Sequence, residues 1–339
     1  MAQPLNSLSR FANISPDAPS VTWPTLRQWT THLILFAATV VSTTLAGVFF
    51  IAAPDFEVAE PGLSTSFDYL FYIPSYYLKT VAGLVQATIS QSSALLDGVQ
   101  FSASLLAILA AHEMGHYIAC RRYGVRATLP FFIPAPPLFL AGTFGAFIKI
   151  QSPIPSRRAL VDIGLAGPIA GFIVAIPISV MGILRLEPAE SIPGHAIIFN
   201  DPLLFRLIAY ASDTPLSADA LLNPYYMAAW IGLLVTSLNL MPVGQLDGGH
   251  GTFALFGPRL HRIIGWVAFI AMAILAGLGW LWHASLSGFL YTVLLGVMLR
   301  VRHPQPQINE RLGKTRIAIA LLTLLMFVLS FWPFPLTIT

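Results

Sequence analysis

The chain has 339 residues, 56% of them hydrophobic and only 10% charged, with a net charge of +3. Soluble domains carry about 25% charged residues, so this composition excludes an ordinary soluble enzyme and points to one polytopic membrane protein. The single cysteine, Cys120, excludes an internal disulfide and a cysteine-based zinc finger, and no basic run of nucleic-acid-binding type is present.

Residues 1–29 are polar, with Pro and Ser and no cleavable signal pattern, and read as a cytoplasmic N-terminal tail. A bilayer core of about 30 Å takes about 20 apolar residues per helix. Apolar spans fall near 30–52, 100–120, 160–184, 225–243, 262–281, 284–300 and 315–335, which predicts an all-α fold of about seven transmembrane helices. The stretch 74–96 is mildly amphipathic and too polar to span. It is assigned to an external loop within 30–99, with an interfacial helix as one form.

Lys and Arg distribution sets the orientation. Arg121, Arg122, Arg126, Lys149, Arg157 and Arg158 lie between the second and third spans. Arg259 and Arg262 follow the fourth, and Arg300, Arg302, Arg311, Lys314 and Arg316 separate the last two. The other side holds Lys79, Arg185 and Arg206 and most of the acids. The N-terminus is expected in the cytoplasm and the C-terminus outside, with the protein in a bacterial cytoplasmic membrane.

Segment 127–155 is apolar but broken by Pro130, Pro134, Pro136, Pro137, Gly142 and Gly145, so it cannot be one helix. GTFGAFIKIQS has strand character. A re-entrant loop carrying a short hairpin is expected, because non-helical backbone at membrane depth survives only against protein or a water-filled cavity.

The second span ends in AHEMGHY (111–117). On a helix, His112 and His116 share a face and can ligate one ion, with Glu113 adjacent to polarise a metal-bound water. From this composition the motif arises by chance in ~0.003 of chains, and ionisable groups in a membrane helix are costly and usually functional. A catalytic zinc site needs a third protein ligand. Asp162 and Asp247 are the carboxylates in or beside the central spans. Asp247 lies in TSLNLMPVGQLDGGHGTF (236–253), where Pro242 and a glycine pair break the helix and let the carboxylate turn inward. It ends the fourth span on the same side as His112 and His116. Asp162 is expected to pair with a nearby arginine such as Arg158, one turn before it, rather than to bind metal. His250 reads as a local hydrogen-bonding residue and a weak candidate for supporting a ligand.

Together AHEMGHYIACRRYGV, LPFFIPAP and NLMPVGQLDGG resemble the site-2 protease family of intramembrane zinc metalloproteases, over roughly 100–255. AGPIAG (166–171) is similar to that family's glycine-rich central helix. The resemblance implies a three-helix metalloprotease core, with zinc held by His112, His116 and Asp247. It makes Glu113 the general base and gives Asn239 a role in positioning substrate or the oxyanion. The gap near 185–224 is too short for a PDZ domain, as in the chloroplast and cyanobacterial branch. The chain then divides into a tail (1–29), a first helix and external loop (30–99), the metalloprotease core (100–255) and C-terminal helices (256–339). The expected substrate is a single-span membrane protein within the lipid bilayer, with no nucleic acid and an open oligomeric state. A zincin of the CAAX-processing type would need a downstream Glu in a membrane helix, which Glu187, Glu190 and Glu310 do not supply. A metal transporter or an inactive scaffold is the remaining alternative. A transporter would repeat its ligands along several helices, and an inactive member would lack Glu113 or Asp247.

Overall fold

The computed structural model describes residues 25–52, 66–188, 197–216, 220–283, 285–301, 303 and 305–338. The expected N-terminal tail up to residue 24, and residues 53–65 of the expected external loop, lie outside them. The described chain is mostly helical. Its helices are α1 (Leu26–Gly47), α2 (Ser66–Ser90), α3 (Ser92–Arg122), α4 (Arg157–Leu184), α5 (Leu203–Ala211), α6 (Pro224–Asn239), α7 (Asp247–His283), α8 (Ser287–Arg300) and α9 (Lys314–Ser330). Among the described residues four segments are long and apolar enough to cross a membrane: Leu26–Ile51, Ser92–Arg122, Arg157–Leu184 and Asp247–His283.

Each of the seven expected apolar segments is helical, but α6, α8 and α9, at 16, 14 and 17 residues, fall short of a full bilayer crossing. α6 ends at Asn239 where 243 was expected, because the turn that follows must deliver Asp247. Much of α6 is enclosed by other helices, so bilayer thickness does not set its length. The stretch 74–96, expected as an external loop with an interfacial helix as one form, is helical as α2 and the start of α3. α2 is not among the segments long and apolar enough to cross a membrane. α3 begins eight residues before the expected boundary of 100. Hydroxyls inside α2 bond back to the preceding turn, as Thr80 does to Tyr76 O and Thr88 to Leu84 O.

α3 and α4 pack along their lengths, and α6 closes the third side. The largest core cluster joins Phe101, Leu105 and Ile108 of α3 to Ala175 and Ile178 of α4 and Met227, Trp230 and Leu233 of α6. Small residues permit the close approach. A Cβ on Gly115 of α3 would sit 2.4 Å from Ala166 O of α4, and one on Gly182 of α4 would sit 2.5 Å from Tyr226 N of α6. α7, α8 and α9 leave large apolar side chains exposed, among them Ile263, Val267, Leu290, Val293, Leu321 and Leu324. Continuous apolar exposure of this kind suits a lipid environment.

Between α3 and α4 the chain forms the expected hairpin. Strand β1 (Phe131–Pro134) pairs antiparallel with β2 (Thr143–Phe147), with Phe131 opposite Phe147 and a bulge before Pro134. Proline is tolerated at a bulge because no ladder donor is needed there. The legs extend through Thr128 N–H to Lys149 O and Gln151 N–H to Arg126 O. α1 carries the hairpin: His32 Nδ1–H donates to Pro130 O at 3.0 Å and Ser42 Oγ–H donates to Gly142 O at 2.7 Å. Two further short pairs complete the sheets among the described residues. Strand β3 (Glu187–Pro188) pairs with β5 (Ala220–Leu221), and β4 (Ile197–Phe199) pairs with the C-terminal β6 (Leu336–Ile338).

Candidate metal centre

The site is assembled from three helices and the hairpin. α3 contributes His112, Glu113 and His116, all buried. The i, i+4 spacing brings the two imidazoles onto one face, and their Nε2 atoms lie 3.2 Å apart. Asp247 is the first residue of α7. Its Oδ2 lies 3.1 Å from His112 Nε2 and 3.3 Å from His116 Nε2. The turn between α6 and α7 aims it there. Gly244 takes a left-handed φ of 54°, and Gly248 lies so close to Leu240 that a Cβ would sit 1.9 Å from its carbonyl oxygen. Only glycine fits this approach, so the sequence Gly244–Gln245–Leu246–Asp247–Gly248 fixes the carboxylate against the histidines.

Three donor atoms of this chemistry within 4.8 Å of one another form a set that can hold a metal ion, the one such set among the described residues. Their separations test the fit. Zinc bonds to imidazole nitrogen and carboxylate oxygen of about 2.0–2.2 Å, arranged tetrahedrally, put ligand atoms about 3.3 Å apart. The observed 3.1, 3.2 and 3.3 Å match those edges. The imidazole of His116 is also oriented for it. Its Nδ1–H donates to Ile163 O at 2.7 Å, which leaves the Nε2 lone pair for a ligand bond. Gly167 of α4 makes the room, since a Cβ there would lie 2.1 Å from His116 Nε2.

These groups open into a cavity of about 600 Å³ whose lining includes Asn239, Gln245 and His250, together with the hairpin stretch Ala146–Ile150. Ile148 of the hairpin lines the same cavity as the Glu113 carboxylate. Asn239 ends α6 with its Nδ2 3.4 Å from His112 Nε2. All five residues predicted from the two motifs, His112, Glu113, His116, Asn239 and Asp247, therefore meet at one cavity.

Asp162 stands apart from this set, and the expected pairing with Arg158 is corrected. Arg316 of α9 grips Asp162 with both nitrogens, Nε to Oδ1 at 2.9 Å and Nη2 to Oδ2 at 2.7 Å, and Tyr123 Oη–H donates to the same carboxylate. Arg158 turns away to Glu310 at 3.3 Å. The guanidinium of α9 meets the carboxylate face-on, a better geometry than one helical turn offers. His250 bonds His303, Nδ1 to Nε2 at 2.7 Å, rather than any metal-ligand candidate. Sequence reasoning missed His303, which lies 53 residues from its partner His250.

The fold and the site together define a helical membrane protein with a buried His2Asp donor set beside a glutamate. Residues 100–278, just over half of the chain, match the model of peptidase family M50, and the chain belongs to that family. This bears out the resemblance to site-2 proteases drawn from the two motifs. Among curated proteins the chain is 31% identical over 241 residues to "Probable zinc metalloprotease EGY1, chloroplastic" of Arabidopsis thaliana, covering 68% of this chain and 42% of that protein. It is 32% identical over 200 residues to "Probable zinc metalloprotease EGY2, chloroplastic" of Oryza sativa subsp. indica, covering 56% and 35% respectively. The Arabidopsis EGY2 is 30% identical over 258 residues, covering 72% and 43%. The chain thus spans less than half the length of these relatives. No solved structure matches it.

Proposed function

We propose that this protein is an intramembrane zinc metalloprotease that hydrolyses peptide bonds within or near the transmembrane segment of single-span membrane proteins. The observation that carries the reading is the convergence of three ligand-type atoms, 3.1–3.3 Å apart, next to a buried glutamate in a cavity bordered by a hairpin. Membership of a peptidase family and relatives named as probable zinc metalloproteases support it.

His112, His116 and Asp247 would hold the ion. Zinc bound there would supply Lewis-acid polarisation and a water acidified toward a pKa of about 7. Glu113 follows His112 directly on α3 and lines the same cavity as the ligand set, which places its carboxylate to act as the base. It takes the proton of the attacking water and returns it to the departing amide nitrogen. Asn239 Nδ2–H is a donor at the cavity wall and would steady the carbonyl oxygen as charge builds on it. Residues 100–255 are the unit that carries this chemistry, with 256–339 as C-terminal membrane helices.

The membrane arrangement extends the same reading. Seven membrane helices, counting the shorter α6, α8 and α9, put the N-terminus and the metal site toward the Lys- and Arg-rich face and the C-terminus on the other. That face is cytoplasmic in a bacterial inner membrane and would be stromal in a plastid like those of the relatives. Four helices of spanning length and the Lys/Arg asymmetry support this topology. A transporter would repeat ligand sets along a path, whereas a single set occurs among the described residues. The test is cleavage of a panel of single-span membrane proteins by purified wild-type protein and by Glu113→Gln. Cleavage by the wild type alone supports the reading.

A further inference from the structure

A second cavity, of about 340 Å³, lies at the end of the molecule where α7 is interrupted and α8 terminates. Gly257 (φ 79°, ψ 175°) breaks α7, and Pro258 starts its second segment at the cavity rim. The polar lining is His261, Arg262, Arg300, His303 and Gln305, over apolar Phe253 and Leu299. Among the described residues no carboxylate lines it. Neither Arg262 nor Arg300 forms an ion pair with another described residue, and both are exposed. His261 is buried and spends Nδ1 on Thr252 Oγ at 2.9 Å, which leaves Nε2 unused among the described residues.

Two cations, an imidazole and a helix N-terminus sharing a cavity without an acid make a site for an anion. Guanidinium forks match phosphate oxygens in pairs, and helix N-termini favour negative charge. We infer that this cavity binds a phosphate group, and that its source is the headgroup of an anionic phospholipid. Basic pockets between membrane helices on the positive face suit such headgroups. Next in sequence to the cavity-lining Arg262 and Gly265, Ile263, Trp266 and Val267 of α7 are half or more exposed, as is Val297 of α8, and they offer apolar surface to acyl chains. Trp266 is the residue type enriched at the headgroup level. The lipid assignment rests on the membrane reading above. The cavity also shares a wall with the metal site: His303 lines it, and the His250 that bonds His303 lines the other.

The experiment is native mass spectrometry of the full chain in detergent, titrated with phosphatidylglycerol, with phosphatidylcholine and, separately, with inorganic phosphate. The wild type should retain phosphatidylglycerol over phosphatidylcholine. Arg262→Gln/Arg300→Gln should weaken that retention on the order of 30-fold, about fivefold for each basic side chain. Arg311→Gln/Lys314→Gln, with the same charge loss on the same face but outside the cavity, should leave it unchanged. Arg262→Lys/Arg300→Lys, which keeps the charge, should retain most of it, which separates lost binding from lost folding. Arg-dependent binding of inorganic phosphate without any lipid preference would uphold the anion site and overturn the lipid source. Absence of binding, or equal loss in both charge-removing variants, overturns the site itself. None of these readouts uses proteolysis, so they stand or fall separately from the protease reading.

Discussion

The Nδ1 of His116 lies 2.7 Å from the carbonyl oxygen of Ile163, one helix away on α4. That bond fixes which nitrogen of the ring carries the proton and turns Nε2 toward His112 and Asp247. It depends on the helices nearly touching, which Gly167 allows. Gly167→Ala would set a methyl group 2.1 Å from Nε2. We expect this variant to fold, because the helices can part slightly, and to bind zinc 10- to 100-fold more weakly, as when a supporting partner of a ligand is removed. Competition with a chromophoric chelator measures it. Unchanged zinc affinity would mean that the ring is not held in this way.

The donor set should bind one zinc per chain. Asp247→Ala and His116→Ala each leave two protein ligands, too few for a stable site. Both should purify with little zinc. Elemental analysis checks this, and full zinc in Asp247→Ala would remove Asp247 from the ligand set.

Asp162 should behave as a structural tether. Its bidentate contact with Arg316 and the hydroxyl of Tyr123 joins α3, α4 and α9. Asp162→Asn should lower stability by about 1–2 kcal/mol, the worth of a charge-assisted bond at a partly exposed site. Zinc content and cleavage should be kept. Thermal unfolding read beside metal analysis separates this from a ligand role, for which zinc would fall as well.

Topology is checked with an impermeant thiol reagent. Cys120 is buried, so background labelling is low. Tyr210→Cys lies on the acidic face and Gln307→Cys on the Lys/Arg-rich face, and both positions are exposed. In intact cells or organelles bounded by this membrane, Tyr210→Cys should label and Gln307→Cys should not. The reverse pattern inverts the arrangement.

The site was legible in the sequence because its constraints are local. A helix carries His112, Glu113 and His116 at fixed spacing, and the Pro242 and glycine breaks around Asp247 mark a chain that must turn. The hairpin was legible for the same reason, since proline and glycine forbade a helix over 127–155. Contacts set by packing were not. Arg158 is one turn from Asp162 in sequence, yet Arg316, 154 residues away, takes the carboxylate. Nothing in either local sequence ranks the two. The extent of the helix over 66–90 was not legible, because a mildly amphipathic stretch reads equally as a loop or as an interfacial helix. The end of α6 was set four residues late because an apolar run does not reveal where tertiary geometry requires a turn.

The most direct measurement is cleavage of a single-span membrane substrate by purified Glu113→Gln protein with its zinc content determined in the same preparation. Glutamine keeps the shape of the side chain but cannot take a proton. The account predicts zinc bound as in the wild type and a rate lower by about 10²–10⁴-fold, the usual contribution of general-base catalysis. Cleavage near the wild-type rate with zinc bound would contradict it, because apart from the ligand Asp247 no other carboxylate among the described residues lines this cavity.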